Sequence, residues 1–317
     1  MKNYSIRKYT TKDFDLWNEF IAKSKNGTFL FDRNFMEYHK DRLEDFSLLV
    51  FDEKKLVAVF PANRVGEGLY SHQGLTYGGI ILDKTTKLSD FVELFDAFCD
   101  YLKPNFRKVF FKEIPKIYNQ YFSDELLYAL FLKNAKLIRR DTLSVIDYQC
   151  DYQISAKRKY EIRKSQKYPL EIKQSTDFSE FWNELLLVNL NEKHNTKPVH
   201  SLEEITLLQN RFPENIKQFN VYLEQKIVAG ATIFETENVA HVQYIASISD
   251  NQLKNKIRAS DYLFDYLIKK YATEKKYFDF GISNENQGKT LNKGLLYWKE
   301  SFGARTVTQD FYELSLI

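Results

Sequence analysis

His241 and Gln243 stand two apart in a stretch that reads as a strand, so their side chains share one face, with Tyr244 on the other. Asp279 alternates with Gly281 and Ser283 in the next strand, FDFGIS. Such residues suit proton transfer: histidine is a base near neutral pH, and a carboxylate can hold an amino or hydroxyl group. A glycine within a strand lets a ligand approach the backbone. The plainer alternatives are a histidine hydrogen-bonded within its sheet and an aspartate capping a sheet edge. Lys254, Lys256 and Arg258 lead into a helix that begins near Ala259. Helix N-termini favour phosphate, so these three with Ala259 and Ser260 form the candidate cofactor-binding segment; otherwise they are a solvated charge run. Lys157, Lys159, Arg163, Lys164 and Lys167 make a basic stripe around Tyr160. It could hold a diphosphate, an RNA end or an anionic glycolipid, or remain a solvated helix face. No Cys–His or Ser–His–Asp signature supplies a covalent nucleophile, and no metal is expected. His200, just before a helix, reads as a loop histidine.

The elements that must position these groups are legible. In 88–102, Phe91, Phe95, Phe98 and Leu102 recur at one-face helical spacing, and Ala259, Leu263, Tyr266 and Leu267 do the same in 258–273. Ser201 and Glu204 form a capping box. In the last helix the apolar stripe is Leu291, Leu295, Trp298 and Phe302, which sets Asn292 and Lys299 together on the neighbouring face.

The chain has 317 residues, 44% hydrophobic and 28% charged, with a net charge of +3. That length suits two ordinary domains, and the charge is too small to imply nucleic-acid binding as a whole. Cys99 lies on an apolar helical pattern and reads as a reduced core thiol. The opening MKNYSIRKYTTKDFD is not a signal peptide, and no apolar run is long enough to cross a bilayer, so a cytoplasmic location without membrane insertion is expected.

The chain also repeats itself. IRKYTTKDFDLWNEF from Ile6 answers IKQSTDFSEFWNELL from Ile172, and FSLLVFDEKKLVAVFPA from Phe46 answers FNVYLEQKIVAGATIF from Phe219. LYSHQGLTYGG from Leu69 answers VAHVQYIASIS from Val239, so His72 takes the place of the second-half histidine. RKVFFKEIP from Arg107 and LKNAKLIRRDTLSVID from Leu132 answer KKYFDFGIS from Lys275 and KESFGARTVTQDFYEL from Lys299. Five pairs in one order imply a duplication, with lobes at about 1–150 and 151–317. Each lobe reads β-α-α-β-β-β-α-β-α-β, an α/β (α+β) mixed sheet.

This order resembles the GNAT acyltransferase fold, and its duplication resembles the FemAB-like and CelD/BioF2-like branches. FDFGIS followed by NKGLLYWKESFGA resembles the end of the second FemAB-like lobe, with Trp298, Lys299, Phe302 and Gly303 matching its aromatic-Lys-x-x-Phe-Gly segment. The basic segment from Ser155 resembles a helix found there in both branches. Two departures stand out: ISDNQLKNKIRASD lacks the glycines of the usual pyrophosphate loop, and a long helical-hairpin insertion is missing. The resemblance implies an acyltransferase whose strand bearing His241 runs beside the acyl donor, with His241 a general base and Lys299 an active-site lysine. Asp279 is the third catalytic candidate; Gln243, Ser283, Asn292, His72 and Gln73 are substrate-binding candidates. The implied donor is acetyl-CoA or another acyl-CoA, bound by lobe two, and the acceptor a small amine such as an amino sugar of a surface polysaccharide. Lobe one is then degenerate, structural or acceptor-binding. The alternatives are an aminoacyl transferase using aminoacyl-tRNA in cell-wall precursor modification, and a non-catalytic pair that binds a nucleotide-sugar or a partner.

Overall fold

A computed structural model describes residues 2–194, 196–249, 253 and 256–316. The chain forms two compact units, one of Met1–Asp141, Asn286–Thr290 and Thr308–Ile317, the other of Thr142–Glu285 and Leu291–Val307.

The first unit opens with β1 (Tyr4–Lys8), α1 (Phe14–Lys23), the single turn α2 (Arg33–Met36) and β2 (Glu44–Asp45). Five strands follow: β3 (Leu48–Asp52), β4 (Lys55–Phe60), β5 (Asn63–Val65), β6 (Gly68–Tyr70) and β7 (Ile81–Leu82). Then come α3 (Leu88–Leu102), β8 (Lys108–Lys112), α4 (Glu125–Leu132) and β9 (Lys136–Asp147). β1, β3, β4 and β7 pair antiparallel in that order, whereas β6 pairs with β8 in parallel. Phe91, Leu94, Phe95, Phe98 and Leu102 of α3 face inward on Phe60 and Phe111, as their spacing dictates. Cys99 is buried and free, and burial pushes its thiol up to about 11.

The second unit carries α5 (Ala156–Ser165), β10 (Leu170–Ser175), a π-helix (Phe181–Leu186) running into α6 (Leu187–His194), and α7 (Leu202–Arg211). It continues with β11 (Ile216–Leu223), β12 (Lys226–Glu235), β13 (Val239–Ser247), α8 (Ala259–Tyr271) and β14 (Tyr277–Ile282). The short strands β15 (Asn284–Glu285) and β16 (Thr290–Leu291) precede α9 (Lys293–Glu300) and β17 (Arg305–Ser315), which from Thr308 on belongs to the first unit and pairs with β8. Its sheet runs β10, β11, β12 and β13 antiparallel, then β14 parallel to β13, then the last part of β9 antiparallel to β14. The mixed α/β class read from the sequence is therefore the class observed, but the first half has six strands between α2 and α3, β2–β7, where three are expected, and the second has the extra strands β15 and β16.

Local chemistry explains the elements. The β11–β12 hairpin closes through Glu224 and Gln225, both at positive φ, as a two-residue turn requires when its twist matches the strands. Ser201 and Glu204 form their capping box. A Cβ at Gly230 would lie 2.4 Å from the Phe181 ring, so only glycine lets the π-helix seat on β12. Tyr266 departs from expectation: it is 43% exposed, because the core-facing stripe of α8 runs through Leu263, Phe264, Leu267 and Ile268.

Candidate functional site

The pairing of β13 with β14 lasts for three residues, Val239↔Tyr277, Ala240↔Phe278 and His241↔Asp279, and then stops. β13 continues along β12 to Ser247, so among the described residues no strand pairs with its other edge beyond His241. At the fork, His241 Nδ1 lies 2.9 Å from an Asp279 carboxylate oxygen. The other oxygen accepts the Gly281 N–H at 2.7 Å. Asp279 has no exposed surface and His241 is 9% exposed. A carboxylate so enclosed cannot hold an acceptor in solvent; it fixes the histidine ring instead. Facing an ionised carboxylate, which only accepts, Nδ1 would be the donor and Nε2 the acceptor nitrogen of the ring.

β14 bends away from β13 at Gly281, whose φ is +72° and whose added Cβ would meet His241 Cε1 at 3.4 Å. Successive carbonyls of a strand point in opposite directions. Here those of Gly281 and Ile282 both accept from Lys299 Nζ, at 2.9 and 2.6 Å, which the bend makes possible. Lys299 is 4% exposed and is the one buried residue of α9. The expected stripe holds at Phe302, which is buried, and at Trp298, which packs on the core, but Leu291 and Leu295 are 44% and 37% exposed. The reason is twofold. Leu291 lies in β16 before the helix begins, and α9 covers polar carbonyls at the fork, where a cation fits better than a leucine. Asn292 is the helix N-cap, its side chain accepting from the Leu295 N–H, which accounts for it without a ligand.

Burial pushes the Lys299 ammonium down to about 8, against a partial opposing pull from Asp279. The unfolded chain keeps the ordinary value near 10.5, so between about 8 and 10.5 it binds a proton that the folded chain releases. This group therefore adds stability as pH rises through that window and costs stability below it. The expected result is a chemical-denaturation midpoint that rises from pH 8 to 10 in the native protein relative to Lys299→Met. Parallel pH dependences in the two proteins would contradict it.

The remaining predicted residues fall as follows. The β12–β13 ladder slips so that Thr232 faces Tyr244 while Ile233 faces Val242, leaving Gln243 as an extra residue. This bulge breaks the strict alternation that set Tyr244 opposite His241. Gln243 Oε1 and Ser283 Oγ are buried without a hydrogen-bond partner among the described residues. His200 Nδ1 lies 2.6 Å from the Tyr244 hydroxyl, a packed loop histidine. In the first half, β6 and β8 pair Leu69↔Val109 just as β13 and β14 pair Val239↔Tyr277. That register puts Ser71 and Phe111 in the places of His241 and Asp279. His72 lies one residue beyond, so the first half does not repeat the pair.

A cavity of about 400 Å³ opens at the N-terminus of α8, lined by Arg258, Ala259 and Ser260, by Lys157 and Arg158 of α5, and by Trp298 of α9. Ser247 and Ile248, at the end of β13, form another wall. Arg258 stands at the N-cap without a side-chain cap, leaving the first-turn N–H groups to other partners. Asp261 is buried there, but Arg158 and the Trp298 indole N–H (2.8 Å) both bind it, offsetting its charge. Lys256 is exposed and is not among the lining residues; Lys254 lies outside the described residues. The α5 stripe leaves Lys157, Lys159, Tyr160 and Arg163 exposed, with Lys167 just past the helix. His241 and Lys299 do not line this cavity; β13 and α9 lead from one to the other. Sequence reasoning missed Arg158 and Asp261 because their partnership joins residues about a hundred positions apart. No group of His, Cys, Asp and Glu among the described residues is arranged to hold a metal ion. None of their helices is long and apolar enough to cross a membrane.

Each half has a late parallel strand pair, β6 with β8 and β13 with β14, and the chain has a tandem GNAT-type fold like that of FemX. The structure of FemX overlays 98% of this chain and 97% of its own, with a TM-score of 0.69 at 11% identity. L-PGS from Bacillus licheniformis gives 0.58 over 96% of this chain and 92% of its own, at 11% identity. A tandem GNAT protein from the clavulanic acid biosynthesis pathway gives 0.54 over 99% of both chains, at 8% identity. Likeness at these identities is one of fold. No family model matches the sequence, and no curated protein matches it.

Proposed function

We propose that the protein is an N-acyltransferase that moves an acyl group from acyl-CoA to a small amine, such as an amino sugar of a surface polysaccharide. The carrying observation is the fork: a strand edge with no partner strand among the described residues leads from an uncapped, cationic helix N-terminus to an ordered His–Asp pair with a buried lysine beside it. In this reading the donor's phosphates sit on the first turn of α8, held by Arg258 and the backbone of Ala259 and Ser260. Ser247 lies six residues from His241 along β13, about 20 Å of extended strand. A pantetheine arm carries amides and is extended, so it can pair with that edge as an added strand.

The acceptor amine must lose a proton as it attacks the thioester carbon, and His241 Nε2 takes it. Asp279 is a positioning residue: it fixes the ring and offsets the charge the imidazole gains. Charge then develops on the carbonyl oxygen. Lys299 has three N–H donors, two engaged by carbonyls, and the third faces the developing oxyanion. The thiolate leaves as the carbonyl re-forms. Gln243 and Ser283 supply acceptor contacts. On this reading residues 151–317 hold the donor and the chemistry, and residues 1–150 are structural or acceptor-binding.

The exposed cations of α5 beside the same cavity favour one second reading, an aminoacyl-tRNA donor, since a stripe of that kind tracks a phosphate backbone. Calorimetry separates the two. CoA is expected to bind one-to-one, and Arg258→Glu to weaken it by at least about tenfold. An absence of CoA binding at millimolar concentration, with RNA co-purifying instead, would favour the second reading. Binding of CoA without turnover of any amine would leave a non-catalytic pair.

A further inference from the structure

We propose that the first unit carries a ligand site of its own, one that takes a glycosyl phosphate. The sugar ring lies on aromatic side chains and the phosphate meets Lys112 and Arg139. A cavity of about 310 Å³ opens just past the point where β6 and β8 stop pairing at Tyr70↔Phe110. All its lining residues belong to this unit, and none is shared with the cavity at α8. Its volume is at the lower end for small-molecule sites, about 300–1,000 Å³, which suits a monosaccharide rather than a dinucleotide.

The walls specify the chemistry. Tyr70 and Phe110 stack at 4.4 Å and 11°, and Phe311 and Tyr312 add two more rings. Flat apolar walls receive the C–H face of a pyranose, while Gln73 and Gln287 offer polar groups to its hydroxyls. Gln73 is held in place by paired hydrogen bonds with Asn63. The charge balance is uneven. Asp141 is buried and committed to Arg139, which it grips through both carboxylate oxygens; Gln287 holds the same guanidinium, which lies 4.4 Å from the Phe311 ring. Lys112 has no ion-pair partner among the described residues; its Nζ donates to the Leu75 carbonyl. One enclosed positive charge is thus left over, and an anion completes it.

His72 is the independent sign of a ligand. It lines the cavity, is 4% exposed, and holds a backbone φ of +59°, a conformation rarely adopted by a residue with a side chain. Its Nδ1 is buried with no hydrogen-bond partner among the described residues. Strain and an unsatisfied polar atom at one buried residue are retained where function needs them.

The test uses the full-length protein with no acyl donor present, so its outcome is separate from that of the acyl-transfer reading. Calorimetry compares glucose 1-phosphate, glucose, glucuronate and inorganic phosphate. Glucose 1-phosphate is expected to bind one-to-one, at least about tenfold tighter than the other three, and Lys112→Met to remove that advantage. A second readout needs no variant. Burial pushes Lys112 down to about 8, with Arg139 and Asp141 the charged groups facing it and His72 held neutral, near 3. Its charge is lost as pH rises through about 8, so affinity should fall between pH 7 and pH 9. Equal affinity for all four probes, no binding at millimolar concentration, or affinity unmoved by pH would overturn the proposal. Tighter binding of glucuronate than of glucose 1-phosphate would overturn the phosphate assignment.

Discussion

Turnover of the active donor–acceptor pair is expected to fall by about 10²–10⁴ in His241→Ala, the range for removing a general base. Asp279→Asn should lose a comparable factor, although Asp279 has no exposed surface and touches no substrate in the proposed reading. The two residues act through one hydrogen bond at 2.9 Å, so their effects should not add. His241→Ala with Asp279→Asn should be about as slow as His241→Ala alone. Asparagine keeps the shape of the aspartate and can still accept from Nδ1, so Asp279→Asn should fold, with melting temperature as the control. Asp279→Ala is a different case: it also strips the Gly281 N–H of its acceptor in a buried site and should cost about 1–3 kcal/mol of stability. Full turnover in a folded His241→Ala protein would reduce the pair to a device that joins two strands.

Lys299→Met should lower turnover by roughly a hundred- to a thousand-fold, the effect of losing one preorganised donor to a developing oxyanion. Methionine approximates the length of lysine, so the core volume at the fork is kept. Two buried carbonyls lose their donor, which should lower stability by about 1–3 kcal/mol for each. Lys299→Ala should be worse, because it adds a cavity where the side chain is 4% exposed. Lys299→Arg should rescue poorly. A planar guanidinium is wider than an ammonium and cannot direct single N–H groups at two converging carbonyls and a third acceptor. The decisive measurement is the split between kcat and KM in the folded Met variant. A fall in kcat marks a group that acts as charge develops, and unchanged kinetics with lower stability marks a lysine that only braces the bend at Gly281.

The residues of the candidate site were mostly legible one at a time. His241, Asp279 and Arg258 stood out because their types and spacing suit proton transfer and phosphate binding, and Lys299 because its segment resembles the end of the second FemAB-like lobe. Their partners did not. Whether His241 meets Asp279 depends on the parallel register of strands that local patterns cannot align, because 38 residues separate them. Lys299 shows the limit most clearly. Helical periodicity puts Leu291 and Leu295 in the buried stripe and Lys299 on the neighbouring face. Trp298 does pack on the core and Phe302 is buried, but Leu291 and Leu295 are exposed and Lys299 is enclosed, because that part of α9 covers the carbonyls of Gly281 and Ile282. The bulge at Gln243 likewise broke an alternation that the local sequence showed as regular.

By itself the sequence determined the elements and their order. Apolar spacing made the stripe of α3, charged tight turns closed the hairpins, a capping box started α7, and a repeat of paired segments announced a doubled α/β lobe. These are short-range properties, set by the chemistry of a few neighbouring residues. The tertiary structure alone decided which polar side chains would meet: His241 with Asp279, Lys299 with two carbonyls, Arg158 with Asp261, and Lys112 with the Leu75 carbonyl. Those meetings depend on register and on where strands part, and a slip of a single residue turns every side chain of a strand to the other face.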